Sequence, residues 1–101
     1  MVRVSQLSCS KEIKMRKRKY SELVKTFQSN FKTLINFYNL PLKIFAHHMD
    51  MDVIHVEKMY RGEYDTLSPF IVYNVAHYFG TDFHIMTHYE IFVTNNQPYY
   101  F

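Results

Sequence analysis

From Ser21 onward, apolar side chains recur at steps of three and four. Leu23, Val24, Phe27, Phe31, Leu34, Ile35 and Tyr38 share one face of a long first helix. That helix is expected to end near Asn39, because Pro41 disfavours helical geometry at Leu40. Pro41 suits the first turn of a second helix, about Pro41 to Met49, on which Phe45, Ala46 and Met49 recur on one side. A third helix is expected from Val53 to Tyr60 or Arg61. Asp52 is its N-cap, Val56 and Met59 form its inner face, and Gly62 is its left-handed stop. Ser68-Pro69 reads as the cap and first residue of a fourth helix carrying Ile71, Val72, Val75, Ala76 and Phe79, and Gly80 ends it. Asp82 caps a short fifth helix with Phe83 and Met86. These faces predict Leu34, Phe45, Ala46, Met49, Val56, Met59, Val75 and Phe79 as buried. Met51 is read as a plug in the turn, and the Phe and Tyr residues of the first and fourth helices as core.

The two ends follow other rules. Residues 1–10 carry no period, since Ser5, Ser8 and Ser10 interrupt it, and Ser10 is placed to cap a helix through the basic run that follows. Tyr89, Ile91 and Val93 alternate with Glu90, Phe92 and Thr94, the period of a short strand. Asn95-Asn96-Gln97-Pro98 is a turn or end signal, and Tyr99-Tyr100-Phe101 is read as packing on the domain or on a second subunit. The chain thus divides into a basic N-terminal arm or helix extension (1–20), a helical domain (21–88) and a C-terminal extension (89–101), strand or dimerisation segment. Ile91, Phe92 and Val93 lie outside the helical pattern. As an exposed sticky edge they predict a homodimer, by strand pairing or by packing across a two-fold axis. The alternative is that the segment folds back onto the first and fifth helices.

At 101 residues the chain is one domain plus tails, and 48 % apolar residues suffice for a core. No apolar run is long enough to span a membrane, and the N-terminus lacks the pattern of a secretory signal. A cytoplasmic protein is expected. The single Cys9 can form no internal disulfide and no Cys pair suggests a zinc finger. His84 and His88, four apart, can share a helix face, whereas the adjacent His47 and His48 cannot. Two histidines hold zinc weakly, so neither a metal nor a cofactor is expected. There is no nucleophile motif, no phosphate-cradling glycine loop and no evident carboxylate pair, so no enzyme is expected.

Charge is divided unevenly. Residues 1–20 hold seven basic residues against one acid, a net +6, and residues 21–101 hold five against eight, a net −3. Phosphate neutralisation supplies most non-specific DNA affinity. The run Lys11, Lys14, Arg16, Lys17, Arg18 and Lys19 therefore reads either as a DNA-contacting arm or as a solvated tail.

From Phe27 to about Met86 the chain resembles the Xre-type helix-turn-helix domains, which include the lambda-type phage repressors and Cro. The likeness rests on Asn30-Phe31-x-x-Leu34, on Leu40, on Phe45-Ala46-x-x-Met49-Asp50-Met51-Asp52 across the turn, on Arg61-Gly62, and on Ala76-x-x-Phe79-Gly80-Thr81-Asp82. It implies an all-α, five-helix, lambda-repressor-like fold. Some positions depart from the family. Leu42 stands where a phosphate-holding Gln is usual, Asp50 at the turn glycine, and Tyr60 at the usual Glu. Polar residues usually open the outward side of the third helix, and here Val53, Ile54 and His55 stand there. Exposed aliphatics can contact thymine methyls but form no hydrogen bonds to bases.

The resemblance implies a prokaryotic or phage transcription regulator, repressor-like, that binds double-stranded operator DNA as a homodimer. Its third helix would enter the major groove with Val53, Ile54, His55 and Lys58 nearest the bases. Lys43, Arg61 and the Lys11–Lys19 arm would hold phosphates. The other expectation is a protein-binding module on the same fold, such as an antirepressor, a repression modulator or an inhibitor. The −3 body, the Val53-Ile54 pair and the missing Gln favour it. A continuous basic face around the third helix would support DNA, and an acidic or apolar patch would support protein.

Overall fold

α-Helical boundaries follow local chemistry at most ends: three helices start on a side chain that caps them and three end on a left-handed residue. The computed structural model describes residues 8–12 and 19–92, with side chains for 19–91. In chain order the elements are β1 (Ser8–Glu12), α1 (Tyr20–Tyr38), α2 (Leu42–Met49), α3 (Val53–Arg61), α4 (Pro69–Tyr78), α5 (Phe83–His88) and β2 (Tyr89–Phe92). The Glu22 carboxylate reaches back 3.3 Å to the Lys19 N–H at the start of α1, and Asn39 ends that helix at φ 52°. Asp50 ends α2 at φ 56°, a left-handed value that Asp tolerates better than most side chains. The Asp52 carboxylate accepts from the Ile54 N–H at 2.9 Å, and Gly62 at φ 71° stops α3. A Cβ on Gly62 would meet nothing within 4 Å, so the backbone angle and not crowding selects glycine there. Ser68 caps α4 at 3.2 Å through the Phe70 N–H, and Asp82 caps α5 at 2.8 Å through the Ile85 N–H.

The core is aromatic at its centre. Phe45 of α2 stacks on Phe79 with ring centroids 5.8 Å apart and meets the edge of Phe31 at 5.1 Å. Val56 and Met59 of α3, Val72, Val75 and Ala76 of α4, and Met86 of α5 close around them, all buried. Two expected core residues differ. Met49 and Met51 are only half-buried, because the turn between α2 and α3 lies at the rim of the core. On α4, Phe70 is 78 % and Tyr73 56 % exposed, so its aromatics are not all core. Its period turns Val72, Val75 and Ala76 inward and leaves Phe70, Tyr73 and His77 outside.

Residues 8–12 depart from the expected loose chain. They form β1, which pairs antiparallel with β2 (Ser8 opposite Phe92, Cys9 opposite Ile91, Glu12 opposite Tyr89), with an irregularity between Cys9 and Glu12. Ser10 therefore caps no helix. β2 packs on α1 and α5 and buries Ile91, so this residue is not part of an exposed edge. The alternative of folding back is the one found. The side chain of Asn30, buried in α1, seals it. Its amide donates to the Tyr89 carbonyl at 2.7 Å and the Met86 carbonyl at 2.9 Å, and its oxygen accepts from the Ile91 N–H at 3.0 Å. Backbone groups of residues 89 and 91 point to one side of a strand. Asn30 thus takes the place of a neighbouring strand there. Lys14 to Arg18, Val93 and the 94–101 segment lie outside the described residues.

Burial raises the phenol pKa values of Tyr20, Tyr38 and Tyr78 above the ordinary 10.0. Tyr20 also donates to the Leu67 carbonyl at 2.8 Å. A raised phenol keeps its proton in the folded state when the unfolded chain has already lost it. Stability is therefore complete below pH about 10 and falls as pH climbs through the raised values. Urea midpoints are expected to hold from pH 8 to about 9.5 and to drop above about 10.5, given ordinary phenol titration in the unfolded chain. A midpoint that stays level to pH 11 would show that these phenols titrate alike in both states.

Candidate functional site

Of the residues expected to act together, Ile54, His55 and Lys58 are brought to one surface by the 50–52 turn and α3. Phe45 and Ala46 on one side, and Val56 and Met59 on the other, anchor the two helices into the core and leave the opposite face of α3 outside. On that face Ile54 is 59 % exposed and Lys58 is exposed. Val53 does not point outward as expected. It is half-buried and packs against the core. His55 is half-buried too, hydrogen-bonded through Nδ1 to the Tyr64 hydroxyl with the rings 4.9 Å apart. Lys43 is exposed at the start of α2. Arg61 is paired with Glu63, whose carboxyl is held below its ordinary range mainly by that hydrogen bond. The pair is exposed, and such pairs contribute little to stability. Lys19 is exposed at the start of α1, and Lys11 lies in β1.

Three residues that the sequence did not assign to a site complete the surface. Met51, Tyr64 and Ile71 join Asp52, Ile54, His55 and Lys58 around a shallow groove of about 470 Å³. Tyr64 is placed by Gln28, which is buried in α1. The Gln28 amide donates to the Tyr64 carbonyl at 2.9 Å and to the Val24 carbonyl at 3.2 Å, and its oxygen accepts from the Tyr64 N–H at 3.0 Å. A buried amide thus fixes the loop after α3, the loop fixes Tyr64, and Tyr64 fixes His55. The signal available in the sequence was a Gln four residues after Val24 and three before Phe31, on the apolar face of the first helix.

The family departures have local roles. Tyr60 donates to the Asn36 side chain at 2.7 Å, tying α3 to α1, and the Lys32 ammonium lies 5.6 Å from its ring centroid. Leu42 is half-buried against the core. Around α3 the charges are mixed in sign (Asp52, Glu57, Lys58, Arg61 with Glu63), so the described residues form neither a continuous basic nor a continuous acidic face. The exposed large apolar side chains among the described residues are Ile54 of α3, Ile44 of α2, and Phe70 and Tyr73 of α4.

The histidines are placed as rings and not as a ligand set. His84 and His88 stack with centroids 4.4 Å apart, and His48 meets the Tyr78 hydroxyl at 2.9 Å. Among the described residues no group of three or more His, Cys, Asp or Glu side chains can hold a metal ion, and no helix is long and apolar enough to cross a membrane. No family model, curated protein or solved structure matches the chain.

Proposed function

We propose that the chain is a helix-turn-helix transcription regulator, repressor-like and of prokaryotic or phage origin, that binds operator DNA as a dimer. One observation carries this reading. α2 and α3 are anchored to a common core and joined by a tight turn through left-handed Asp50, and among the described residues Ile54 and Lys58 stay exposed on the outer side of α3. A helix presented in this way fits the major groove. The excess of six positive charges in residues 1–20 supplies the attraction to phosphate that the body lacks. The test is a mobility shift of the full chain on DNA from around its own gene at two salt concentrations.

The basic segment is best tested without deleting it, because residues 8–12 form β1. Changing Lys14, Arg16, Lys17 and Arg18 to Gln is expected to weaken binding. The slope of log affinity against log salt should shrink by about 0.9 for every phosphate that is no longer neutralised. An unchanged slope would show that the segment does not touch DNA.

The exposed apolar set Ile54, Phe70 and Tyr73 supports a second reading, a protein-binding module such as an antirepressor or inhibitor. Under that reading Ile54→Asp abolishes partner binding in a pull-down, and the mobility shift shows no DNA complex.

A further inference from the structure

We infer that two copies of the chain associate through the outer face of α4, with Phe70 and Tyr73 as its anchors and the two helices antiparallel across a two-fold axis. The inference rests on the dimer in the reading above and says where the two copies meet.

α4 is apolar on both sides. Val72, Val75 and Ala76 face the core, whereas Phe70, Tyr73, Asn74 and His77 are exposed on the opposite side. Those four stand at i, i+3, i+4 and i+7, the spacing by which a helix lays one stripe against a packing partner. The helix carries no Lys, Arg, Asp or Glu. A helix that is apolar all round is normally buried all round. Yet Phe70 is 78 % and Tyr73 56 % exposed, so among the described residues nothing covers this side. The Tyr73 and His77 rings lie nearly parallel, 12° apart in plane with centroids 6.4 Å apart, and present one flat ledge.

The stripe itself points to a second copy as the occupant. Phe70 and His77 lie equally far along the helix from a point between Tyr73 and Asn74. A two-fold axis through that point sets Phe70 against the partner's His77 and Tyr73 against the partner's Asn74. Each aromatic then meets a ring or an amide, the Tyr73 hydroxyl gains an acceptor, and symmetry repeats every contact, as an isologous interface requires. Charge argues the same way. The chain carries a net +3, so two copies repel where their charged surfaces meet, and α4 brings no charge to the contact. The other exposed aliphatics do bring charge: Ile44 follows the exposed Lys43, and Ile54 shares its groove with Lys58 and Asp52. At about 150–250 Å² for a whole aromatic side chain, Phe70 and Tyr73 supply roughly a third of the ~800 Å² that each partner of a standard interface buries. The free dimer is therefore weak, with a micromolar Kd, and is reinforced when one duplex holds both copies.

The test is sedimentation equilibrium of the full chain without DNA, at concentrations on either side of the micromolar range. The wild-type mass is expected to rise from one chain to two. Phe70→Glu and Tyr73→Glu should each raise the dissociation constant by about tenfold or more, the effect of losing a central aromatic anchor. Both positions are exposed, and an acid suits the first turn of a helix, where Phe70 stands. Circular dichroism and the urea midpoint should therefore stay those of the wild type. Ile44→Glu makes the same change at an exposed aliphatic outside the stripe and should leave the dissociation constant unaltered. A wild-type chain that stays monomeric at every concentration overturns the inference, whether another protein or another segment of this chain then covers the face. A dimer that either α4 variant leaves intact overturns the role of that anchor. Mobility shifts run beside it separate this inference from the reading it rests on. A chain that shifts DNA but never dimerises leaves DNA binding standing and removes the interface. A dimer that is lost in both α4 variants but shifts no duplex supports the interface and removes the DNA-binding reading.

Discussion

Replacing Phe45 by alanine is expected to remove about 3–5 kcal/mol of stability, the usual cost of a large buried aromatic. Phe45 is fully buried and joins three elements, because its ring stacks on Phe79, meets Phe31 edge-on and meets Tyr78 at 5.0 Å. The cavity would open where α1, α2 and α4 converge, and none of these rings can move in without leaving its other partners. Domains of this size are stable by about 5–15 kcal/mol, so the variant would lose a large share of the total. Phe70→Ala is the control: it removes the same ring from a position 78 % exposed and should change stability by less than about 0.5 kcal/mol. Urea unfolding followed by circular dichroism checks both. Similar midpoints for the two variants would mean that the core is not centred on Phe45.

Asn30→Ala should be comparably damaging for a different reason. Its side chain satisfies the Met86 and Tyr89 carbonyls and the Ile91 N–H, and the residue is itself buried. Removing it leaves three backbone groups at the junction of α5 and β2 without their partner. A buried group left unsatisfied costs about 1–3 kcal/mol, so a loss of roughly 3 kcal/mol or more is expected unless water enters. Asn30→Asp should not rescue it, since a buried carboxylate can accept from Ile91 but sets a charged oxygen against the two carbonyls. Hydrogen exchange gives the decisive readout. The Ile91 amide should lose protection in Asn30→Ala far more than the amide of Val75 in α4. Equal loss at both sites would mean that the damage is global and that Asn30 holds nothing in particular.

The five helices were legible because their signals are local. Ser68-Pro69, Asp52, Asp82 and Gly62 act within one turn of where they stand, and the steps of three and four along α1 and α3 mark the buried face directly. The sheet was not legible. Ser8–Glu12 shows no alternation of its own and becomes a strand through a partner at the other end of the chain. For the same reason the 89–92 segment was read as a free edge: its cover is a side chain in α1, and no local pattern reveals that. In the candidate site, the exposure of Ile54 and Lys58 followed from helical period. The engagement of His55 did not, because it depends on the path of the loop that carries Tyr64, whereas the inward side of Val53, three residues before the buried Val56, follows the same period and was missed. Gln28 and Asn30 looked like interruptions of an apolar face, whereas each fastens a distant segment to it.

The amide of Asn30 also sets an order of events during synthesis. Its three partners lie 56, 59 and 61 residues further along the chain. While a ribosome is still making α3 or α4, α1 carries a polar group on its inner face whose partners have not yet been made, and burying that face would strand it. Closing contacts over so long a separation is entropically slow, and little is gained until the last of them forms. Helices one to four are therefore expected to reach their finished packing only once residue 91 is available, with β2 serving as the latch.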